Sequence, residues 1–232
     1  SAASDVYKRQ GILFYDNDEN TVKYKGNFKD WKYDNFGSSY YENELLWFRG
    51  QFKNGEWTSG YGELFCEAGF PVYRGFYDEN GDFHGHGILF YENSNSIHYI
   101  GNFDRGSFCG DGRVLLKNSK LLYEGSFRNN QFEGKGKCYI CNGCLHYEGQ
   151  LKESSFHGEG VMFFPDGKTI KYKGNFRDGK FHGYGTLYKN YTNITIDYEG
   201  EFINGEKNAQ QSMDKFRNCI HKYKCLQPIY HF

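Results

Sequence analysis

The chain has 232 residues, 20% of them aromatic, with 30 Gly and only 3 Pro. Disordered chains carry few aromatics, so this composition argues against disorder over most of the length. The formal net charge of −1 gives no general attraction to nucleic acid or to an acidic bilayer, and no apolar run is long enough for a signal peptide or a membrane span.

Residues 1–10, SAASDVYKRQ, match nothing later in the chain and read as a non-repeat leader, an artefact or scar at the start of a truncated sequence. Gly11-Ile12-Leu13-Phe14-Tyr15 matches Gly87-Ile88-Leu89-Phe90-Tyr91, so the repeating pattern opens in mid-unit, one strand short. From there one element, aromatic-x-Gly-x-aromatic, recurs with one aliphatic ending: YKGNF at 24, FRGQF at 48, YRGFY at 73, YIGNF at 99, YEGSF at 123, YEGQL at 147, YKGNF at 172 and YEGEF at 198. The period of 24–26 residues defines a repeat array over residues 11–206.

A second element lies between the copies: SGYG at 59–62, HGHG at 84–87, CGDG at 109–112, EGKG at 133–136, HGEG at 157–160 and HGYG at 182–185. Phe83, Phe108, Phe132, Phe156 and Phe181 precede it. FGSS at 36–39 reads as a degenerate copy with Ser39 in a glycine position. Turn pairs separate the two elements: Asn54-Gly55, Asn80-Gly81, Arg105-Gly106, Asn129-Asn130, Asp178-Gly179 and Asn204-Gly205, all of types that tolerate the positive φ of a tight hairpin. A second set, such as Asn142-Gly143 and Asp166-Gly167, precedes the next copy. Each repeat is therefore strand, turn, strand, turn. Side chains alternate between faces along a strand, which puts Tyr172, Gly174 and Phe176 on one face and lets a neighbouring ring lie over bare glycine backbone.

Other motifs are weak. His84, His157 and His182 occupy equivalent positions, but equivalent atoms of adjacent copies lie ~10 Å apart, too far to share a metal. The seven cysteines are odd in number and irregularly spaced, and they read as reduced thiols of a cytoplasmic protein. Cys138-x-x-Cys141-x-x-Cys144 places Cys141 and Cys144 as opposed residues flanking the Asn142-Gly143 turn, in reach of a disulfide or a zinc ion, with no second pair to complete a site. No phosphate loop, nucleophile elbow or zinc-protease motif appears, so neither catalysis nor a cofactor is expected. At the end of the chain, Ser212 as N-cap and Met213, Phe216, Ile220 and Tyr223 at helical spacing predict an amphipathic helix over 212–226, within a tail of residues 207–232. It would cap the open edge of the last hairpin or, through its Lys and Arg, touch a membrane surface.

The combination YxGxF, turn, GxG at a period near 24 resembles the MORN repeat (membrane occupation and recognition nexus). The resemblance implies an all-β fold: an elongated, single-layer antiparallel sheet of stacked β-hairpins, here with a short C-terminal α-helix. It also implies a binding role at membrane–cytoskeleton junctions, cilia or cortical structures. The leading expectation is a non-catalytic scaffold for a protein partner, by groove capture of a helix or by pairing of arrays into a homodimer. The alternatives are anionic phospholipid (phosphoinositide) binding, or a regulatory fragment of a larger enzyme such as a phosphatidylinositol-phosphate kinase or a lysine methyltransferase. Two aromatic columns compete as the binding stripe. One is Tyr73, Tyr99, Phe103, Tyr123, Phe127, Tyr147, Tyr172, Phe176 and Tyr198; the other, on the opposite face, is Phe65, Phe90, Leu115, Tyr139, Phe163 and Tyr188.

Overall fold

The computed structural model describes residues 9–16, 20–189 and 195–205. Among the described residues the only regular elements are strands. The helix expected over 212–226 lies outside them, as do residues 1–8 of the leader.

The chain divides into two compact units. The first, residues 1–97 with 103–106, carries β1 (Arg9–Phe14), β2 (Val22–Lys29), β3 (Lys32–Tyr40), β4 (Leu46–Lys53), β5 (Glu56–Trp57), β6 (Gly60–Phe65), β7 (Pro71–Tyr77) and β8 (Phe83–Phe90). Strand β9 (Ile97–Asp104) contributes residues to both. The second unit, residues 98–102 and 107–232, carries β10 (Ser107–Leu115), β11 (Leu121–Arg128), β12 (Gln131–Tyr139), β13 (Leu145–Lys152), β14 (Ser155–Phe163), β15 (Ile170–Arg177), β16 (Lys180–Tyr188) and β17 (Ile196–Phe202). Each unit is an open antiparallel sheet of hairpins, every strand paired with its sequence neighbours. The exception to this order is β4, which pairs with both β5 and β6.

The turns follow their chemistry. Asn129-Asn130, with φ of 49° and 64°, joins β11 to β12, and Asp178-Gly179 does the same for β15 and β16. Two turns the turn-residue pattern does not reveal, Asp30-Trp31 and Glu153-Ser154, adopt the same left-handed pair. Asn80-Gly81 instead lies in a five-residue loop between β7 and β8, where Asp78 Oδ1 accepts from the Asn80 and Asp82 amides and only Gly81 has positive φ.

The two glycines of GxG do different work. In β12, Gly136 faces Gly125 directly, while the next pair on that side is Ser126 with Glu133. Gly134 and Lys135 are thus an insertion, and Gly134 takes φ of 67°. A bulge of this kind bends the strand. The first repeat satisfies the same requirement with Asn35, at φ of 60°, and Gly37 stands opposite Gly26. The degenerate copy is therefore Asn35-Phe36-Gly37, not Gly37-Ser38-Ser39; asparagine serves because it tolerates the left-handed region.

The bend explains how a single layer buries a core. Tyr123 stacks on Phe132 at 3.8 Å, meets Phe127 edge-on at 5.0 Å and pairs across the strands with buried Cys138. Residues from both sides of the bulge thus close over one ring. The same stack recurs at 3.8 Å in Tyr24–Tyr33, Tyr73–Phe83, Tyr99–Phe108, Tyr147–Phe156 and Tyr172–Phe181. Where the following repeat closes in Phe the ring also meets it edge-on, as Tyr147 meets Phe176 at 5.1 Å; after Tyr123 the closing residue is Leu151. Such contacts add to the area each ring buries.

Candidate interaction faces

The Tyr of each repeat carries a hydroxyl that donates to the carbonyl three residues on: Tyr73 to Phe76 at 2.9 Å, Tyr123 to Ser126 at 2.9 Å and Tyr147 to Gln150 at 2.7 Å. The bulge withdraws that carbonyl from the ladder, and the hydroxyl supplies its partner. Phe48 cannot do this; there the Thr58 amide, at the break between β5 and β6, donates to Gln51 O instead at 3.0 Å. Burial pushes the Tyr24 and Tyr172 hydroxyls up to about 12. It raises those of Tyr73, Tyr123 and Tyr147 as well.

This geometry corrects the first expected stripe. Tyr73, Tyr99, Phe103, Tyr123, Phe127, Tyr147, Tyr172 and Phe176 are buried in the core and present no surface to a partner. Their rings are needed against glycine, since a one-layer sheet has no second layer to cover it. Tyr198, on the last described strand, is the exception at 47% exposed.

The second stripe is on the opposite, outer face. Leu115, Tyr139, Phe163 and Tyr188 pair across the sheet with Leu121, Leu145, Ile170 and Ile196. Phe65 pairs with Pro71, and the Arg74 guanidinium lies 5.8 Å from the Phe65 ring and 5.4 Å from that of Phe90. Phe90 is buried and the others are half-buried, so this row is one margin of the outer face.

Next to it each unit carries a shallow groove that the aromatic pattern does not reveal. Its floor is the bare backbone of the facing glycines. In the second unit Gly125, Gly136 and Gly149 form the floor, with Glu124, Lys137 and Glu148 on one wall and Lys135, Gln150 and Glu159 on the other, enclosing about 380 Å³. In the first unit Gly11, Gly26 and Gly37 lie between Ile12, Lys25 and Ser38 on one side and Gln10, Asn27 and Phe36 on the other. The wall residues are the variable letters around each glycine, which is the signal by which sequence could have found them.

The walls differ in character. In the second unit charges pair across strands: Arg113 with Glu124 at 3.1 Å, and Lys137 with Glu148 at 3.4 Å. In the first, Glu63 lies 3.7 Å from both Arg49 and Arg74, and the far wall carries Phe36, Tyr61 and Phe76, 48–50% exposed. Tyr61 and Phe76 meet edge-on at 5.9 Å.

The metal candidate and the Cys141–Cys144 pair do not assemble, but Cys141 is disulfide-bonded, which corrects the reading of the cysteines as reduced thiols. No group of three metal-ligating side chains exists among the described residues. Cys144 pairs with Ile140, whose amide donates to its carbonyl, and Cys144 is a free thiol. Cys141 and Cys144 are therefore not the opposed pair expected from the turn, because the loop is three residues long rather than two. Cys138 is fully buried and its thiol pKa is raised by that burial. His84 and His157 each approach the carboxylate of the following hairpin turn, Asp104 at 3.7 Å and Asp178 at 3.9 Å.

No curated protein matches the chain. The MORN repeat family matches residues 73–96, 123–145, 147–169, 172–192 and 198–210. The hairpins at Tyr24, Phe48 and Tyr99, outside those matches, share the same ring-over-glycine construction. The chain is a MORN-repeat protein.

Proposed function

We propose that this MORN array is a non-catalytic scaffold that holds a protein partner along the glycine-floored groove of its outer face. The observation that carries the reading is the division of labour within each repeat. The constant rings are consumed by the core, and the variable letters beside the glycines line an open groove. Exposed aromatics with paired charges of both signs suit a protein surface, where aromatics and Arg concentrate at contacts. An anionic lipid surface is less well matched: the second-unit groove sets three carboxylates against two lysines. An apolar helix laid in the groove, with polar residues toward the charged wall, is the partner form that fits best. The setting at a membrane–cytoskeleton or ciliary and cortical structure rests on the family alone.

The test is proximity labelling from the intact protein, followed by titration of each labelled candidate against the purified array. The triple variant Phe36→Ser, Tyr61→Ser, Phe76→Ser should weaken a true partner at least ~10-fold, since contacts of this type are worth more than ~1 kcal/mol at a hot spot. Unchanged affinity for every candidate would sink the groove reading. Binding of the wild type to anionic vesicles that falls steeply with salt would favour the lipid instead.

A further inference from the structure

The outer-face groove of the first unit carries an excess of positive charge along one wall. Lys25, Ser38, Arg49, Glu63 and Arg74 are successive cross-strand partners through β2, β3, β4, β6 and β7. Three cations thus share one carboxylate. Glu63 lies 3.7 Å from both guanidiniums, and its side chain is 22% exposed where those of Arg49 and Arg74 are 49% and 40%. The carboxylate is the more covered group, so a partner meets the cationic heads. The facing wall, with Asn27, Phe36, Gln51, Tyr61 and Phe76, has no carboxylate. In the second unit the equivalent wall reads Arg113, Glu124, Lys137, Glu148. There each cation has its own carboxylate, and no charge is left over.

Arg74 is also held in place. Its guanidinium stands 5.8 Å from the Phe65 ring and 5.4 Å from the Phe90 ring. Its Nε is shielded from solvent and has no hydrogen-bond acceptor among the described residues. Stacking of this kind fixes the planar fork, so less entropy is lost when it grips a carboxylate. Spacing matters as much as sign. Neighbouring strands lie ~4.8 Å apart, so Lys25, Arg49 and Arg74, two strands from one to the next, follow at ~10 Å. Two turns of an α-helix advance ~10.8 Å and bring every seventh residue back to the same side. An extended chain covers ~10 Å in three residues, and the third points away.

We propose that the first-unit groove takes an acidic amphipathic α-helix of a protein partner, laid across the strands. Asp or Glu at every seventh residue meets Lys25, Arg49 and Arg74. An adjoining apolar stripe meets Phe36, Tyr61 and Phe76 across the glycine floor. This rests on the outer-face groove as the partner site and adds the sign, the spacing and the unit. The acidic helix neutralises the charge that Glu63 leaves over. Nucleobases fit the aromatic wall less well, because Tyr61 and Phe76 already pack edge-on at 5.9 Å with no slot between them.

Fluorescence anisotropy with the full chain and three synthetic peptides tests it. The first peptide has Glu at i, i+7 and i+14 and Leu at i+1, i+5, i+8 and i+12. The second has Lys in place of Glu, and the third keeps the composition with the Glu scattered round the helix. The first should bind at least ~10-fold more tightly than the others, and more weakly as salt rises. Lys25→Gln with Arg49→Gln should weaken it ~10-fold, from ~2–5-fold for each exposed charge. Both side chains are exposed, and an unchanged far-UV signal checks the fold. Lys25→Glu with Arg49→Glu should instead prefer the Lys peptide, a reversal that a merely structural role would not produce. Equal binding of the Glu and Lys peptides, or no binding of the Glu peptide, overturns the proposal. So does tighter binding of a single-stranded oligonucleotide or of anionic vesicles. A labelled partner weakened by Phe36→Ser, Tyr61→Ser, Phe76→Ser but indifferent to Lys25→Gln, Arg49→Gln leaves the groove standing and overturns the acidic helix.

Discussion

The two glycines of one GxG should respond to alanine by different amounts for different reasons. At Gly136 the backbone is unstrained, but an added Cβ would lie 2.5 Å from Tyr123 Oη and 2.6 Å from Cε2. Carbon atoms need ~3.5 Å or more. The ring cannot yield, because it is held between Phe132 at 3.8 Å and Phe127 at 5.0 Å. Overpacking of this kind costs ~1–3 kcal/mol. Displacing the hydroxyl from Ser126 O adds ~1 kcal/mol for the lost hydrogen bond. Gly136→Ala should therefore cost about 3 kcal/mol. At Gly134 the nearest atom to an added Cβ is Ser126 Cβ at 3.6 Å, an ordinary contact, and only the φ of 67° resists. That strain is ~1–2 kcal/mol for Ala, and less for Asn, which Asn35 already uses. Urea unfolding followed by far-UV circular dichroism should rank the variants Gly134→Asn, Gly134→Ala, Gly136→Ala in order of increasing loss. In a Tyr123→Ala background the Gly136→Ala cost should shrink by at least ~1 kcal/mol, since the atoms it strikes are gone. Equal losses at the two glycines, or additivity with Tyr123→Ala, would refute the ring-over-glycine account.

Three further outcomes follow from the same geometry. Tyr147→Phe should lose ~1 kcal/mol by leaving Gln150 O without its donor, whereas Phe48→Tyr should gain under ~0.5 kcal/mol because Thr58 already serves Gln51 O; paired urea midpoints check both. Because burial raises the core tyrosines above their ordinary 10, to about 12 for Tyr24 and Tyr172, the unfolded chain releases its phenolic protons first. Stability is then complete below pH 10 and is lost as pH climbs through 10 to 12; urea midpoints measured by far-UV circular dichroism should fall over that range, and midpoints that hold constant through it would contradict the account. Cys138 should resist a thiol reagent until the array unfolds, while half-buried Cys144 reacts in the native state; mass spectrometry of labelled peptides distinguishes them.

Much of the fold was legible in the sequence because its signals are local. The 24–26-residue period, the turn pairs and the alternation in Tyr172-Lys173-Gly174-Asn175-Phe176 fix hairpins and assign faces without any long-range information. What alternation could not supply is the bulge. Strict alternation treats Gly183 and Gly185 as equivalent, yet Gly183 is the inserted, left-handed residue and Gly185 the one under the ring. Without the bend, Tyr172 and Tyr123 look like an exposed stripe, since a flat single sheet has nothing to cover them. The bend depends on which partner each strand residue faces, and that is a property of pairs of strands. The same blind spot hid Asn35, whose side chain gives no hint that it stands for glycine, and the outer groove, whose walls are the letters that vary.

The division between constant core and variable wall also limits how such an array can acquire specificity. A change at Tyr, at the facing glycine or at the stacked Phe disturbs the repeat that carries it and the closing ring of the next, as the Tyr147–Phe176 contact illustrates. A change of side chain at Glu124, Lys135 or Gln150 leaves the core rings and the facing glycines in place, although Glu124 accepts from Tyr139 at 3.5 Å and Gln150 lies against Gly158. Surface substitutions of this kind cost little stability, within about ±0.5 kcal/mol in general. The groove can therefore carry Phe36, Tyr61 and Phe76 in one unit and paired Lys and Glu in the other on an unchanged core. The first-unit groove offers a ligand exposed aromatics beside an Arg49–Glu63–Arg74 wall, and the second-unit groove offers Lys and Glu of mixed sign. Substituting the three first-unit aromatics should accordingly weaken a peptide bound there by at least ~10-fold and leave one bound at the second-unit groove unchanged; equal losses at both would contradict the separation of core from wall.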